Sequence, residues 1–292
     1  MIRKLRKFDY VKPKTVADVV SLLKSYQEKA SLLAGGTDLM VFMKLDYLNP
    51  KCVIDLKGIS PLDYLSWNPS DGLRMGNLAT LHSIINHPLI REHLSILVQA
   101  GKALGHPQIR TRATVAGSIC TASPSGDMAP SLLALEARVK VVSPSGERII
   151  PIQEIFAGPF KTVLAPTDVV TELHVPALPS RSGGSYCWQP KVTAVDETLV
   201  GTAAVLSLTD GNVLKDVRIG LGSVAPTPIR APRAEEFLRG KKTEDRVFEE
   251  AARIAAGETR PRSRADYRRE MTKRLVEQAL KEAVDQARRN GG

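Results

Sequence analysis

The stretch Leu32-Leu33-Ala34-Gly35-Gly36-Thr37-Asp38-Leu39 decides the fold. Its apolar start predicts a short buried strand, and the two glycines predict a tight turn that leads into a helix. Successive backbone N–H groups can converge at such a turn, and the concavity they form suits a diphosphate. The Thr37 hydroxyl adds a further donor. A Gly-Gly turn also occurs without any ligand, and this one matches neither the Rossmann fingerprint nor the Walker pattern.

The residues around this turn predict a first structural unit. Thr15, with Asp18 three residues later, predicts the start of an amphipathic helix that runs to about Gln27. Residues 52–56 predict a second buried strand, and the turn at 58–61 predicts the end of the unit. The chain therefore begins with a small unit built on the strand, glycine turn and helix.

The rest of the chain alternates between strands and helices. One helix is predicted over 80–104, followed by a long irregular binding loop over 108–127, and a linker is predicted over 180–184. The remaining predicted elements are strands over 62–65, 73–75, 139–142 and 168–176, a short helix over 130–137, a hairpin over 203–221, and helices over 245–256 and 263–287.

Composition and charge exclude several classes of protein. The length of 292 residues predicts two or three packed units. The formal net charge of +10 is concentrated near the chain ends, above all in 260–274, where basic residues alternate with acidic and apolar ones. Aromatic residues make up only 5% and none interleaves with the basic residues, as a base-stacking platform would require. A solvated helix face or a surface for an acidic partner subunit is therefore favoured over a nucleic-acid site.

Neither a membrane span nor a metal site is predicted. The N-terminal stretch lacks the apolar core of a signal peptide, and no apolar run approaches the roughly 20 residues that span a bilayer. We therefore expect a cytoplasmic protein. Cys52, Cys120 and Cys187 lie too far apart to form a zinc or iron–sulfur motif, and the five histidines show no metal-ligand spacing.

A second stretch carries features of a binding loop. Residues 110–127 are rich in small side chains, which allow the backbone to approach a flat or charged ligand, and in hydroxyl groups. The alternative is a structural Ω-loop. Asp127 at its end either caps the helix that begins near Met128 or serves a ligand.

Three motifs together resemble those that bind FAD in the medium subunit of molybdenum hydroxylases. That family has Ala-Gly-Gly-Thr-Asp, Thr-Ile-Gly-Gly-Asn or Ser, and Ala-Ser-Pro-x-x-Asp. The matching stretches here are Ala34-Gly35-Gly36-Thr37-Asp38-Leu39, Arg112-Ala113-Thr114-Val115-Ala116-Gly117-Ser118 and Ala122-Ser123-Pro124-Ser125-Gly126-Asp127. The resemblance continues in family order through 161–176, 222–228 and 264–269, so that it covers nearly the whole chain.

The resemblance implies an α+β fold. A vanillyl-alcohol-oxidase (PCMH)-type FAD-binding fold would occupy two subdomains, over residues 1–57 and 58–176. A C-terminal α/β domain, a sheet covered by helices of the CO dehydrogenase flavoprotein type, would follow over 177–292.

The resemblance also implies which residues contact FAD. Residues Leu32 to Leu39 would hold the pyrophosphate. The ribityl and flavin region would be lined by Thr114, Val115, Ala116, Gly117, Ser118, Ser123 and Asp127. Weaker matches place Gly76, Thr80, Val170, Tyr186 and Trp188 at the cofactor, with Tyr186 near the isoalloxazine ring. Ala116 stands where the family has glycine and Trp188 where relatives often carry lysine, so both alter the flavin surroundings.

The function implied is that of an electron-transfer subunit. Such a chain would take electrons from [2Fe–2S] clusters in a small partner subunit and pass them to an external acceptor, while a large partner holds the molybdenum cofactor. The expected assembly is a dimer of heterotrimers. No catalytic acid or base is expected because the redox chemistry belongs to the cofactor. Two alternatives remain open, an FAD-free assembly or scaffold subunit and a stand-alone flavin oxidoreductase.

Overall fold

A computed structural model describes residues 4–193 and 196–291. The outer limits of the predicted domains, residues 1 and 292, lie outside the described residues, and the division at 57/58 and 176/177 remains a prediction. The first unit contains β1 (Asp9–Val11), α1 (Val16–Tyr26), β2 (Ala30–Leu33), α2 (Leu39–Lys44) and β3 (Cys52–Asp55). Both β1 and β2 pair in parallel with β3, so β3 lies at the centre of this sheet.

The strand, glycine turn and helix predicted from the sequence are present. Thr15 caps α1, because its Oγ1 accepts a hydrogen bond of 3.1 Å from the backbone N–H of Asp18. Val19 and Leu23 of α1 are buried against the apolar face of the sheet. Residues 34–38 follow the carboxyl end of β2 and connect it to α2, at the edge of the sheet.

The second unit is a mixed layer of strands and short helices. Its elements are β4 (Leu65–Asn68), β5 (Gly72–Gly76), α3 (Leu81–Asn86), α4 (Pro88–His93), α5 (Ser95–Ala103), α6 (Pro107–Arg110), α7 (Val115–Thr121), α8 (Met128–Ala134), β6 (Arg138–Ser143), β7 (Gly146–Pro151), β8 (Phe156–Gly158), β9 (Lys161–Thr162) and β10 (Val169–Val175). The antiparallel sheet has the order β4-β5-β10-β6-β7, and β8 and β9 form a separate small pair.

Three predictions for this unit are wrong. The helix expected over 80–104 is broken into α3, α4 and α5. His87 before Pro88 is extended at φ −73° and ψ 121°, and Leu94 between α4 and α5 has non-helical angles of φ −132° and ψ 47°. The loop expected over 108–127 contains α6 and α7, whose few residues leave little helical period to detect. The strand expected over 62–65 starts only at Leu65, since Leu62 belongs to a 3₁₀ turn.

The C-terminal unit is a sheet covered by helices. It contains β11 (Ser182–Pro190), β12 (Thr198–Leu208), β13 (Leu214–Gly222), β14 (Ile229–Arg230), α9 (Pro232–Leu238), α10 (Asp245–Gly257) and α11 (Ala265–Arg289), with the strands in sequential antiparallel order. The linker predicted over 180–184 is wrong, because β11 begins at Ser182. A Cβ on Gly183 would lie 2.0 Å from the Ala283 carbonyl oxygen, so this glycine lets α11 pack directly on the strand.

The C-terminal sheet packs closely on the second unit. Tyr186 and Val205 belong to the same apolar core as α5 and α8. A Cβ on Gly220 would lie 2.1 Å from the carbonyl oxygen of Pro130, and the Ser223 N–H donates to the Pro124 carbonyl oxygen at 2.8 Å. The loop before α8 is therefore held from the C-terminal side. Within the described ranges, no helix has the length and apolar character needed to cross a membrane.

Candidate cofactor site

A cavity of about 860 Å³ opens where the glycine turn after β2, helix α7 and strand β10 meet. Its volume is in the range of pockets that hold small molecules and cofactors. The predicted site residues found in its wall are Leu32, Ala34, Gly35, Gly36, Thr37, Asp38, Leu39, Thr114, Gly117, Ser118, Ser123, Asp127 and Val170. Folding thus brings together motifs that are about 80 residues apart in the chain.

The glycine turn presents unpaired backbone donors. Gly36 has φ +81°, a left-handed conformation that glycine adopts without a Cβ clash. The N–H groups of residues 36–39 pair with no other described residue, and the next one, Met40 N–H, donates to the Gly36 carbonyl at 3.1 Å. Four successive free N–H groups at the start of a helix form a suitable cradle for phosphate oxygens.

The two motif loops pack directly on each other. A Cβ on Gly35 would lie 2.1 Å from the Arg112 carbonyl oxygen, so only glycine permits this approach. The Thr121 hydroxyl donates to Asp38 Oδ2 at 2.8 Å and joins α7 to the glycine turn. The first glycine of the motif therefore serves the contact between loops, whereas the second shapes the cradle.

Helix α7 is fixed at its start by Thr114. The Thr114 Oγ1 accepts a hydrogen bond of 3.0 Å from the Gly117 N–H, and its backbone pairs with Thr80 in an isolated antiparallel bridge. Thr80 itself caps α3 by accepting from the Ser83 N–H. Thr80 thus lies behind Thr114 and positions the loop from outside the cavity wall.

Seven predicted site residues do not line the cavity, and their cofactor contacts stay predictions. They are Leu33, Gly76, Thr80, Val115, Ala116, Tyr186 and Trp188. The Ala116 methyl, where the family has glycine, is fully buried in the core, so it does not narrow the cavity. A Cβ on Gly76 would lie 2.3 Å from the Leu62 carbonyl oxygen, which gives that glycine a packing role.

Tyr186 and Trp188 stack on each other behind the cavity. Their ring centroids are 6.1 Å apart, and the two ring planes are nearly parallel, with an angle of 11° between them. Tyr186 is only 2% exposed, and its hydroxyl donates to Asp127 Oδ1 at 2.9 Å. The Asp127 side chain makes no capping bond to α8, so its partners lie on the C-terminal sheet instead.

The described cavity wall contains the carboxyl groups of Asp38, Asp127 and Asp168 and no cationic side chain. Asp168 is neutralised by a two-pronged pair with Arg148 and accepts the Ala165 N–H at 2.6 Å. Burial raises the pKa of Asp127 to about 6, against the lowering effect of its hydrogen bonds. A bound diphosphate would therefore be held by backbone N–H groups rather than by lysine or arginine.

The sequence did not indicate Asn77, which lines the cavity directly after β5. Its side chain is buried and donates to the Val170 carbonyl at 2.7 Å, but its Oδ1 has no hydrogen-bond partner in the described structure. A buried amide oxygen left unpaired costs free energy, which a ligand donor would recover. A polar residue immediately after a buried strand was the available signal.

An aromatic cluster at the cavity mouth was also missed. Phe42 lies between Tyr47 and Phe160, with ring centroids 6.4 and 6.1 Å away. Tyr47 is 72% exposed and Phe160 57% exposed. The other wall residues outside the predicted binding stretches are Ser31, Leu48, Leu56, Leu104, Leu164 and Asp168, whereas Ile109, Ala113, Cys120, Thr121, Ser125 and Gly126 belong to the binding loop predicted over 108–127. Only folding brings the residues outside that loop to the cavity, so no local pattern predicts them.

Residues 6–178 match a protein family described as the FAD binding domain in molybdopterin dehydrogenase. The chain belongs to that family. Residues 189–283 match a second family, the CO dehydrogenase flavoprotein C-terminal domain. The family membership, the fold class, the oxidoreductase class and the FAD cofactor predicted from the sequence are thereby confirmed.

Relatives of this FAD-binding family resemble the chain over nearly its full length. It is 32% identical to the carbon monoxide dehydrogenase medium chain of Hydrogenophaga pseudoflava, covering 95% of this chain and 97% of the relative. It is also 32% identical to the nicotine 6-hydroxylase medium subunit of Paenarthrobacter nicotinovorans, covering 96% and 98%. The solved carbon monoxide dehydrogenase from Hydrogenophaga pseudoflava superposes with a TM-score of 0.92 over 97% of this chain and 99% of that one.

The geometry fits the cofactor that this FAD-binding family carries. The N–H cradle offers donors for a diphosphate, the unpaired Asn77 oxygen offers an acceptor, and the cavity is large enough for a substantial part of a dinucleotide. Among the residues described, no group of three or more histidine, cysteine or acidic side chains is arranged to hold a metal ion.

Proposed function

We propose that this chain is the FAD-carrying electron-transfer subunit of a molybdenum hydroxylase complex. It accepts electrons from [2Fe–2S] clusters of a small partner subunit and passes them to an external acceptor, while a large partner subunit holds the molybdenum cofactor. The complex is a cytoplasmic dimer of heterotrimers. Relatives named as medium chains or subunits support the place of this chain in such an assembly.

One observation carries the proposal, the cradle of unpaired N–H groups at residues 36–39 on the wall of a cavity of about 860 Å³. In this proposal the cradle binds the diphosphate, and α7 with Asp127 lines the ribityl and flavin end. Asn77 Oδ1 accepts a hydrogen bond from the cofactor. FAD supplies the redox chemistry when bound, and the chain binds it, orients it and limits its contact with water.

Apolar groups at the cavity mouth support docking of the electron-donating subunit there. Tyr47, Leu48 and Phe160 line the cavity and remain exposed. Exposed apolar clusters on folded proteins commonly mark binding surfaces. A partner seated at this mouth brings its cluster close to the flavin, as electron transfer requires.

The direct test combines cofactor loading with electron delivery. The full-length chain, purified and reconstituted, is expected to bind about one FAD. In a complex with the iron–sulfur and molybdenum subunits, the flavin absorbance should bleach when the clusters are reduced. A complex that assembles without flavin would favour the scaffold alternative. Rapid oxidation of a small organic substrate by the isolated chain would favour the stand-alone oxidoreductase.

Asn77 provides a sharper test of the cavity. Replacing Asn77 by leucine keeps the volume but removes the acceptor, together with the donor to the Val170 carbonyl. The affinity for FAD should fall about tenfold, the loss expected for one buried hydrogen bond to the cofactor. Isothermal titration with FAD measures this change. Asn86→Leu is the control, because Asn86 is exposed on α3 outside the cavity wall. Equal affinities for Asn77→Leu and the unmodified chain would exclude Asn77 from the site.

A further inference from the structure

Asp127 connects the wall of the cofactor cavity to the C-terminal sheet through hydrogen bonds. The residue follows the Ala-Ser-Pro loop and is 7% exposed, and it lines the cavity wall. Its Oδ1 accepts two hydrogen bonds, from Tyr186 Oη at 2.9 Å and from Thr198 Oγ1 at 2.6 Å. Both donors lie on the C-terminal sheet, on β11 and β12, so one carboxylate oxygen is fully engaged from that side.

The two donors are themselves held in place. The Tyr186 N–H donates to Gln99 Oε1 at 2.8 Å, and the Tyr186 ring stacks on Trp188. A Cβ on Gly201 would lie 2.5 Å from the Tyr186 hydroxyl, so this glycine provides the space that the hydroxyl needs. The Thr198 carbonyl oxygen accepts the Ser223 hydroxyl at 2.7 Å. The donors therefore hold Asp127 from a rigid surface.

The second oxygen of Asp127 is left for a ligand. Asp127 Oδ2 accepts no hydrogen bond from another described residue. Beyond the two donors to Oδ1, the carboxyl interacts within the described structure only with the backbone N–H of Asp127 itself. Because the residue forms part of the cavity wall, this oxygen is the one available to a donor in the cavity. A ribityl hydroxyl or a flavin N–H is the kind of donor that a carboxylate oxygen accepts.

We propose that Tyr186 and Thr198 are positioning residues, which fix Asp127 through Oδ1 so that Oδ2 accepts a hydrogen bond from bound FAD. This inference rests on the proposed function. It gives Tyr186 a role different from the flavin contact expected from the sequence, and it makes the C-terminal sheet a necessary part of the cofactor site.

The electrostatic surroundings make the arrangement testable by pH. Burial raises the pKa of Asp127 to about 6, and the hydrogen bonds from Thr198 and Tyr186 lower it. Helix α8 and strand β12 carry no charged side chain. Other ionisable groups on the neighbouring elements are Cys120 on α7, Cys187 on β11 and Arg218 on β13. Asp38 and Asp168 line the same cavity, and Glu197, just before β12, accepts from the Ser125 hydroxyl at 2.8 Å. Among the described ionisable side chains named here, only Tyr186 is hydrogen-bonded to the Asp127 carboxyl.

FAD affinity is therefore expected to fall as the pH drops through about 6, because protonation removes the negative charge of Asp127. Removing either donor hydroxyl raises the pKa of Asp127, so this transition moves to higher pH. Tyr186→Phe and Thr198→Val should show that shift. Because a larger fraction of Asp127 is then protonated at neutral pH, both variants should also bind FAD more weakly there. Asp127→Asn should abolish the transition.

The experiment measures FAD dissociation constants of the full chain from pH 5 to pH 8, a range that brackets the titration. Thr202→Val is the matched control, since Thr202 lies on the same strand and its buried hydroxyl has no hydrogen-bond partner in the described structure. The FAD dissociation constant of Thr202→Val should depend on pH as that of the unmodified chain does. If Tyr186→Phe and Thr198→Val show the same pH dependence as the unmodified chain, the positioning role is wrong while the proposed function stands. Failure of the unmodified chain to bind FAD would instead reject the proposed function.

Discussion

Replacing Gly36 by valine is expected to abolish FAD retention. Gly36 has φ +81°, and a β-branched residue forced into this region costs about 1–3 kcal/mol. A Cβ there would also lie 2.8 Å from Leu33 Cδ1. The backbone should escape to negative φ, and the N–H groups of residues 36–39 would then no longer converge. The ratio of flavin to protein after purification measures the effect.

Gly240→Val separates this loss from general destabilisation. Gly240 has φ +73°, and a Cβ there would meet no atom within 4 Å. It follows α9 in the C-terminal unit and is not part of the cavity wall. Both variants should lower the melting temperature, but only Gly36→Val should lose flavin. Full flavin content in Gly36→Val would contradict the role of the glycine turn.

Replacing Gly183 by alanine should strongly destabilise the C-terminal unit. The added Cβ would lie 2.0 Å from the Ala283 carbonyl oxygen and 2.6 Å from the Ala287 backbone nitrogen. These are backbone atoms of α11, so the helix as a whole would have to move away from β11. The free energy of unfolding should fall by about 3 kcal/mol or more, at the upper end for an overpacked core. Denaturant titration measures the change.

The neighbouring glycine supplies the control for this prediction. A Cβ on Gly184 would meet the side-chain atoms Val205 Cγ2 at 3.3 Å and Ile96 Cδ1 at 3.4 Å, which need to move by only a few tenths of an ångström. Gly184→Ala should therefore cost less than about 1 kcal/mol. Similar losses in the two variants would show that helix approach is not what requires Gly183.

The sequence predicted those parts of the fold whose signals are local. Strand β2, the glycine turn and the cap of α1 at Thr15 depend on neighbouring residues, and all are present. Strand β11 was missed because Gly183 and Gly184 are typical of a linker. Gly183 is required there because a helix more than 90 residues later packs directly on it. No local pattern contains that contact.

The residues of the candidate site also fall into a group that local sequence patterns indicate and a group that only folding assembles. Motif loops around Gly36 and Thr114 could be found because small residues and hydroxyls stand next to each other in the chain. Asn77 and the aromatic cluster come from separate segments that only folding assembles. Asp127 was identified, but its partner Thr198 is 71 residues away, on the C-terminal sheet. Contacts of that kind depend on how the sheets pack.

The cradle at residues 36–39 is made of main-chain atoms, and this affects how freely the site can change in evolution. Side chains at Thr37 and Leu39 can be exchanged for any residue except proline without removing one of the four donors, whereas Asp38 also joins the turn to α7 through Thr121. What must be inherited is the path of the backbone, which depends on Gly35 and Gly36. At the anion-binding end of this protein, inheritance therefore constrains the course of the main chain more than the chemistry of the side chains that lie on it.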